Sequence, residues 1–481
     1  VYKRQLLDSL DDLVPETLDD FSASVAAQLS ESDLARLREW ALSPDGLAAA
    51  LSAAQTRWVM EKATLLERKN YLDDELEKLQ KRELTSSGDE QLKEQVREVT
   101  AARKAIGHRL RNEIFGEHWV SSMERYGLLP NFSLLDDSVE LTINVSSQKP
   151  DSVEFDTESR SYQRGVSSAL HELAPGATFY AQGLAVKVDS VDLGNDSSNI
   201  ETWRLCPECS YMEEVVGESK TPHACPECGA SGFTDMGQRL PVVRMRRVSA
   251  DVDKSRATIS DNRDSRTQMQ FRSVMTCVAP KDQRDPAWFT ASTGFGAQYL
   301  PRLQLRWLNL GRGQGETRYL GGREVMVPLF RVCSKCGHID STAGSNSRFD
   351  HRPWCSVRNE PEEDSSLLAL GRVLDTQGVF LFLPELLSGS DSLAIPSLTA
   401  AIRMGFKERL GGDPDHLSVA NARVEVQGAR RDVLVLHDQV PGGTGYLTQF
   451  SEPEPVRELL LAAWKKISSC DCHDGARQCC P

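Results

Sequence analysis

Eleven of the twelve cysteines in this 481-residue chain fall into three clusters, and no other feature limits the fold as strongly. Cys206-Pro-Glu-Cys209 and Cys225-Pro-Glu-Cys228 are two CxxC pairs with fifteen residues between them. A CxxC turn points two thiolates at one centre, and two such turns supply the tetrahedral S4 set that zinc prefers. Four thiolates leave no open coordination position, so the expected site is structural and not hydrolytic. Disulfides are the competing reading. Paired CxxC turns without a basic-then-apolar secretory segment argue instead for metal and for a cytoplasmic setting. Residues 203–230 are therefore read as a zinc ribbon.

The second cluster is Cys333-Ser-Lys-Cys336, followed by His351 and Cys355. The spacing CxxC-x14-H-x3-C offers three sulfurs and one imidazole, again a closed tetrahedral set, within a knuckle at 331–356. His338 is a rival ligand at tight reach, and a reduced thiol pair beside an unrelated His and Cys is the alternative. The third cluster holds Cys470, Cys472, Cys479 and Cys480, with His473 among them. Successive side chains diverge, so Cys470, Cys472 and Cys480 are the expected ligands, with a fourth lying just beyond Pro481. Cys277 stands alone and reads as a buried thiol. The start at Val1 and the stop inside a ligand cluster suggest a piece of a longer polypeptide.

The longest nearly unbroken apolar run, 379–387, is interrupted by Pro384 and Glu385 and falls far short of the ~20 residues a bilayer demands, so no membrane partner is expected. A net charge of −14 argues against a surface that coats nucleic acid throughout, and leaves room for a local basic stripe. Residues 301–331 carry Arg302, Arg306, Arg312, Arg318, Arg323 and Arg331 against Glu316 and Glu324, with Trp307 and Tyr319 interleaved. Arg302, Arg306, Arg312, Arg318 and Trp307 could follow a phosphate backbone and stack bases, which makes DNA the candidate partner. The alternative is a solvated sheet edge whose arginines pair with acids.

The patterning is that of a multidomain α+β protein. Residues 1–126 read helical. Leu51, Trp58, Leu65, Leu72 and Leu79 recur every seven positions. After Ser86-Ser87-Gly88, with Asp89 as a cap, Leu92, Val96, Val99, Ile106 and Leu110 form a second stripe. Two stripes joined by a short turn suggest an antiparallel helical hairpin, either a free coiled coil or packed on a domain. In the β-rich region 127–364 the period changes to two, as in Val139, Leu141, Ile143 and Val145. Further strand-like runs lie at 178–180, 184–191, 242–248 and 325–330, with the two zinc knuckles inserted between them. The last region, 365–481, reads α/β. It offers strands at 378–383 and 432–436, helices at 397–410 and 455–467, and the incomplete third cysteine cluster.

Enzyme signatures are absent: no GxxxxGK[ST] phosphate loop, HExxH, GxSxG elbow or HxE with PCxxC. Gly311-Arg-Gly313-Gln-Gly315 reads as a β-turn. His437-Asp438 ends a strand before a glycine-rich turn, where proton transfer is conceivable. The favoured reading has Asp438 hydrogen-bonding that turn and His437 packing against a neighbour. No catalytic residue is assigned.

The segment from about Leu370 to Cys480 resembles the C-terminal module of the MrfA-like DEAD/DEAH-box helicases. The resemblance rests on Ser397-Leu398, on Asp438-Gln439-Val440-Pro441-Gly442-Gly443-Thr444-Gly445-Tyr446-Leu447 and on Cys470-Asp471-Cys472. Its motif loop is carried by Asp438, Pro441, Gly442, Gly443 and Gly445. The stretches 126–131 and 162–176 and the CPEC ribbon look like the large bacterial versions, including the helicase of the Druantia anti-phage system. This implies a superfamily-2 motor of two RecA-like lobes, hydrolysing ATP with Mg2+, upstream of Val1. The present residues would be its zinc-binding, DNA-engaging accessory region in phage defence or DNA repair, with other defence proteins as possible partners. The alternatives are a stand-alone zinc-ribbon adaptor that partners a separate helicase, and a hydrolase centred on His437 and Asp438.

Overall fold

The computed structural model describes residues 10–25, 30–85, 89–126, 128–129, 138–148, 155–194, 197–216, 222–259, 270–339, 351–358, 365–384, 394–410, 416–426 and 428–469. It is a mixed helix-and-sheet fold. Helices dominate the N-terminal part, and most later elements are strands.

The heptad stripes produce a hairpin of the helices Leu47–Thr85 and Glu90–Arg109. Leu65, Leu72 and Leu79 interleave with Leu92, Val99 and Ile106, while Trp58, Leu76 and Val96 line the margin. The helices run antiparallel, since Asp73 pairs with Arg103 and Glu61 with Arg109. Asp89 caps the second helix, its carboxylate accepting from the N–H groups of Gln91 and Leu92. That helix continues into a π turn, Leu110–Phe115.

The hairpin is packed on the β structure and is not a free coiled coil. Arg247 of the small sheet reaches across to Glu61 and Glu113 of the hairpin at 3.5 and 3.1 Å, and pairs with Glu140 of its own sheet at 3.3 Å. Burial opposes ionisation of Glu61, yet Arg109 and Arg247 beside it hold its carboxyl below the ordinary range.

That small sheet has four strands in the order Phe155–Gly165, Ser138–Gln148, Arg247–Asp253, Ser190–Val191. Val139, Leu141, Ile143 and Val145 all point into its core, as the alternation requires. The ten-stranded sheet is organised on one long strand, Ser365–Phe382. It pairs antiparallel with Gly296–Asn309, Phe330–Cys333 and Ala429–Asp438, and parallel with Arg239–Arg244. One sheet thus joins strands from either side of residue 365.

Three strand runs are broken where the sequence suggested continuity. The 184–191 run splits at Val188 and Asp189: Leu184–Lys187 pairs with Thr178–Ala181 in a two-stranded sheet, and Ser190–Val191 joins the small sheet. The 242–248 run splits at Met245 and Arg246, where the chain leaves the large sheet at Arg244 and enters the small one at Arg247. The 325–330 run splits at Pro328, which cannot donate to a ladder, and Leu329, whose φ of 57° is left-handed. The helices Ala394–Leu410 and Pro453–Ser468 pack on the large sheet through Ile402, Phe406, Val456 and Leu459. Among the described residues, no helix is long and apolar enough to cross a membrane.

Leu72 is fully buried at the centre of the hairpin seam. Leu72→Ala is expected to cost about 3 kcal/mol through lost burial and a residual cavity. The check is faster amide exchange across 61–109, with the large sheet unaffected.

Candidate metal centres

In the ribbon, Cys206 follows the strand Ile200–Leu205 and Cys209 precedes Met212–Glu214, so the first CxxC closes a β-hairpin. Cys225 and Cys228 lie on the approach to Arg239–Arg244. The four sulfur atoms lie within 4.8 Å of one another, with Cys206 and Cys228 at 3.6 Å and Cys209 and Cys225 at 3.7 Å. A disulfide needs ~2.05 Å. A tetrahedron of sulfurs at ~2.3 Å from zinc has edges of ~3.8 Å, so the spacing fits zinc and not a covalent bridge. Hydrogen bonds from Cys209 and Cys225 pull the Cys206 thiol down to about 4, while the Cys209 thiol is pushed up by the same proximity to Cys206 and Cys225. A divalent cation at the centre of the four sulfurs would stabilise them as thiolates.

The second centre joins Cys333, Cys336, His351 and Cys355. Cys333 and Cys355 lie 3.7 Å apart, and His351 Nδ1 is 3.5 Å from Cys355 Sγ and 3.9 Å from Cys336 Sγ. His338 is outside the set: its Nδ1 faces the Ile339 carbonyl at 3.1 Å. Hydrogen bonds from Cys336 and Cys355 lower the Cys333 thiol well below its ordinary range. Both donor sets fit zinc, and both are closed, which suits a structural ion and no bound hydrolytic water. Cys470, Cys472 and Cys480 lie outside the described residues. Cys277 is buried, and that burial raises its thiol to about 12, an inert state.

A signal the spacing argument left unused is the glycine after a CxxC. Gly337 follows Cys336 at φ 69°, and a Cβ there would lie 1.9 Å from the Val191 carbonyl oxygen. Gly337 also donates to the Cys333 carbonyl, closing the knuckle turn. Gly229 plays the matching part after Cys228, donating to the Cys225 carbonyl at 2.8 Å with φ 72°.

The ribbon turn clasps distant elements. Gly321 and Gly322 donate to the carbonyls of Cys206 and Pro207, and Ser210 donates to the Arg423 carbonyl at 2.7 Å. Arg284 pairs with Glu227 at 2.9 Å, and Arg430 pairs with Glu208.

The arginine stripe does not form one face. Its first strand, Gly296–Asn309, is internal to the large sheet and not a solvated edge. Arg306 is only 8% exposed and lies against the Trp203 ring, so it is corrected from an expected DNA contact to a core residue. Trp307 is half-buried between Arg372, 4.5 Å over its ring, and His437. Arg318 is half-buried and is held by Glu316 and the Gly237 carbonyl. Arg302, at a bulge between Leu300 and Leu303, and Arg312, in a glycine bend, are exposed. Gly311 and Gly313 take φ of 88° and 95° in that bend, which joins two strands and is no phosphate loop.

His437 and Asp438 have structural partners. The Asp438 carboxylate accepts from Val440 N–H at 2.9 Å, from Thr444 N–H at 2.6 Å and from the Thr444 hydroxyl. It thereby folds Pro441, Gly442, Gly443 and Gly445 into a tight turn whose three glycines all have positive φ. His437 is buried against Trp307, and desolvation lowers its imidazole to about 4, so it is neutral at pH 7.

Residues 398–480 match the family model described as the MrfA Zn-binding domain. The stretch includes the Asp438 turn and the last cysteine cluster. Among solved structures, the crystal structure of the DUF1998 helicase MrfA bound to DNA aligns at 11% identity with a TM-score of 0.32. The alignment covers 77% of this chain and 36% of that one, so this chain spans about a third of the helicase's length. No curated protein matches the sequence.

Two measurements test the site. Cys225→Ser and Cys355→Ser should each lower zinc content by about one ion per chain, as read by elemental analysis of protein purified without chelator. An unchanged content in either variant refutes that centre. Asp438→Ala should leave two turn N–H groups unsatisfied at a cost of about 3 kcal/mol, seen as a lower unfolding midpoint with zinc retained.

Proposed function

We propose that this chain is the zinc-braced, DNA-engaging accessory region of an MrfA-like ATP-dependent helicase acting in phage defence or DNA repair. The observation that carries the reading is the family match over 398–480, which takes in the Asp438 turn and the terminal cysteines. MrfA is a helicase whose solved structure holds DNA. The 481 residues contain no GxxxxGK[ST] loop, so ATP hydrolysis with Mg2+ is assigned to a motor fused to this chain or partnered with it. Closed metal sites agree with a scaffold role. The ions would hold loops in register while the motor translocates, and no chemistry would occur on them.

The DNA contacts fall to exposed cations and not to the whole arginine stripe. Four members of the stripe are exposed; Arg323 lies beside Asp432 and Arg331 donates to Ser365, and the other two, Arg302 and Arg312, are assigned the phosphate contacts. Binding should weaken steeply with salt, since each neutralised phosphate releases counterions. In a titration of labelled single- and double-stranded DNA, Arg302→Glu combined with Arg312→Glu should weaken affinity. It should also flatten the salt slope by about two, with zinc content unchanged. Binding identical to the parent chain at every salt concentration would remove these residues from the interface.

A further inference from the structure

We propose that the second metal centre is a latch for the helical hairpin: metal bound at Cys333, Cys336, His351 and Cys355 holds the hairpin on the small sheet, and loss of that metal releases it. The inference rests on zinc occupying this centre, and its test reads zinc and docking separately.

Residues 351–358 contain no helix or strand. Their backbone–backbone bonds are local, Cys355 to Arg352 and Arg358 to Cys355. The segment is fixed in place through its side chains, and two of those are the ligands His351 and Cys355. Trp354, between them, belongs both to the knuckle's apolar set and to the hairpin core around Leu65 and Ile106. The guanidinium of Arg68, on the first hairpin helix, stacks 3.8 Å over the Trp354 ring. Arg358, three residues past Cys355, pairs with Glu98 on the second hairpin helix at 3.0 Å. The knuckle therefore touches both helices.

Its opposite side is bolted to the small sheet. Arg352 is buried and paired with Asp189 and Asp251, and it donates to Ser190 Oγ at 2.7 Å and Ser249 Oγ at 3.0 Å. Val191 N–H donates to the Gly337 carbonyl at 3.1 Å, and Ile339 N–H to the Asp189 carbonyl at 2.8 Å. Charge reinforces the geometry. Three thiolates, an imidazole and a divalent cation sum to −1, and the buried cation Arg352 and the stacked cation Arg68 lie beside that charge. Without the ion, the four donors have no common centre, and the Trp354 ring loses the anchor on each side of it. The ribbon centre makes none of these contacts. Its clasps run to Gly321, Gly322 and Arg423.

The experiment compares the full chain with Cys355→Ser, Trp354→Ala and Cys225→Ser by zinc analysis and by amide hydrogen exchange. Cys355→Ser should lose one zinc, and peptides covering 57–68, 102–113 and 187–193 should exchange about ten-fold faster. Trp354→Ala keeps every ligand, so it should retain its zinc and still speed exchange in the same peptides. Cys225→Ser should lose the ribbon zinc and leave those peptides unchanged. Loss of zinc from Cys355→Ser with exchange unaltered overturns the latch, as does unaltered exchange in Trp354→Ala. A Cys355→Ser chain with the parent zinc content overturns the metal reading instead. Should Cys355→Ser fail to fold, stripping the remaining zinc from the Cys225→Ser chain with chelator takes its place, and zinc loss there with exchange unaltered in those peptides overturns the latch.

Discussion

The large sheet depends on Ser365–Phe382. Four strands hydrogen-bond to it, and they come from as far apart in sequence as Arg239 and Asp438. Such non-local pairing carries a high loop-closure cost, which local contacts must offset. The two metal centres stand at the points where that cost is concentrated. Cys333 pairs directly with Ser365 at one end of the long strand. Cys206 directly follows the strand that pairs with Arg239–Arg244, which in turn lies parallel to Ala369–Gly371. Each ion would close a loop next to a strand with distant partners, so binding energy at the ion would become folding energy for the sheet.

What the sequence disclosed follows from how local the physics was. The CxxC spacings named both donor sets, including His351 over His338, because ligand geometry is set within a few residues of each turn. The hairpin seam was legible for the same reason, since a heptad stripe needs only its own period. The arginine stripe was not legible. Arg306 is buried because Gly296–Asn309 has a partner strand on each side, and nothing within residues 301–331 encodes those partners. Likewise the switch between sheets at Met245 and Arg246 falls inside an unbroken run of β-forming residues, where propensity alone sees one strand. The fold class and the N-terminal helices were readable, and the sharing of one sheet across residue 365 was a tertiary fact.

The Asp438 turn shows why a polar residue at a strand end need not be catalytic. Its carboxylate accepts three hydrogen bonds from Val440 and Thr444, within its own turn, and it is buried, so it is held as a turn acceptor away from any substrate in solution. His437 is held neutral by burial beside Trp307, with Arg372 over the other part of the same aromatic cluster. A general base needs access to its proton donor and a proton affinity near the working pH, and this imidazole has neither. The glycines are required by the turn itself. Gly443 has φ 76° and faces Gln377, where a Cβ would come within 2.8 Å. The Asp438 turn, which lies within the stretch that matches the MrfA Zn-binding domain, is thus a folding element. It ends the strand that pairs with Ser365–Phe382 and turns the chain toward the last helix, Pro453–Ser468. The metal clusters and this turn perform one task by different chemistry. Each pins a chain reversal beside a long strand.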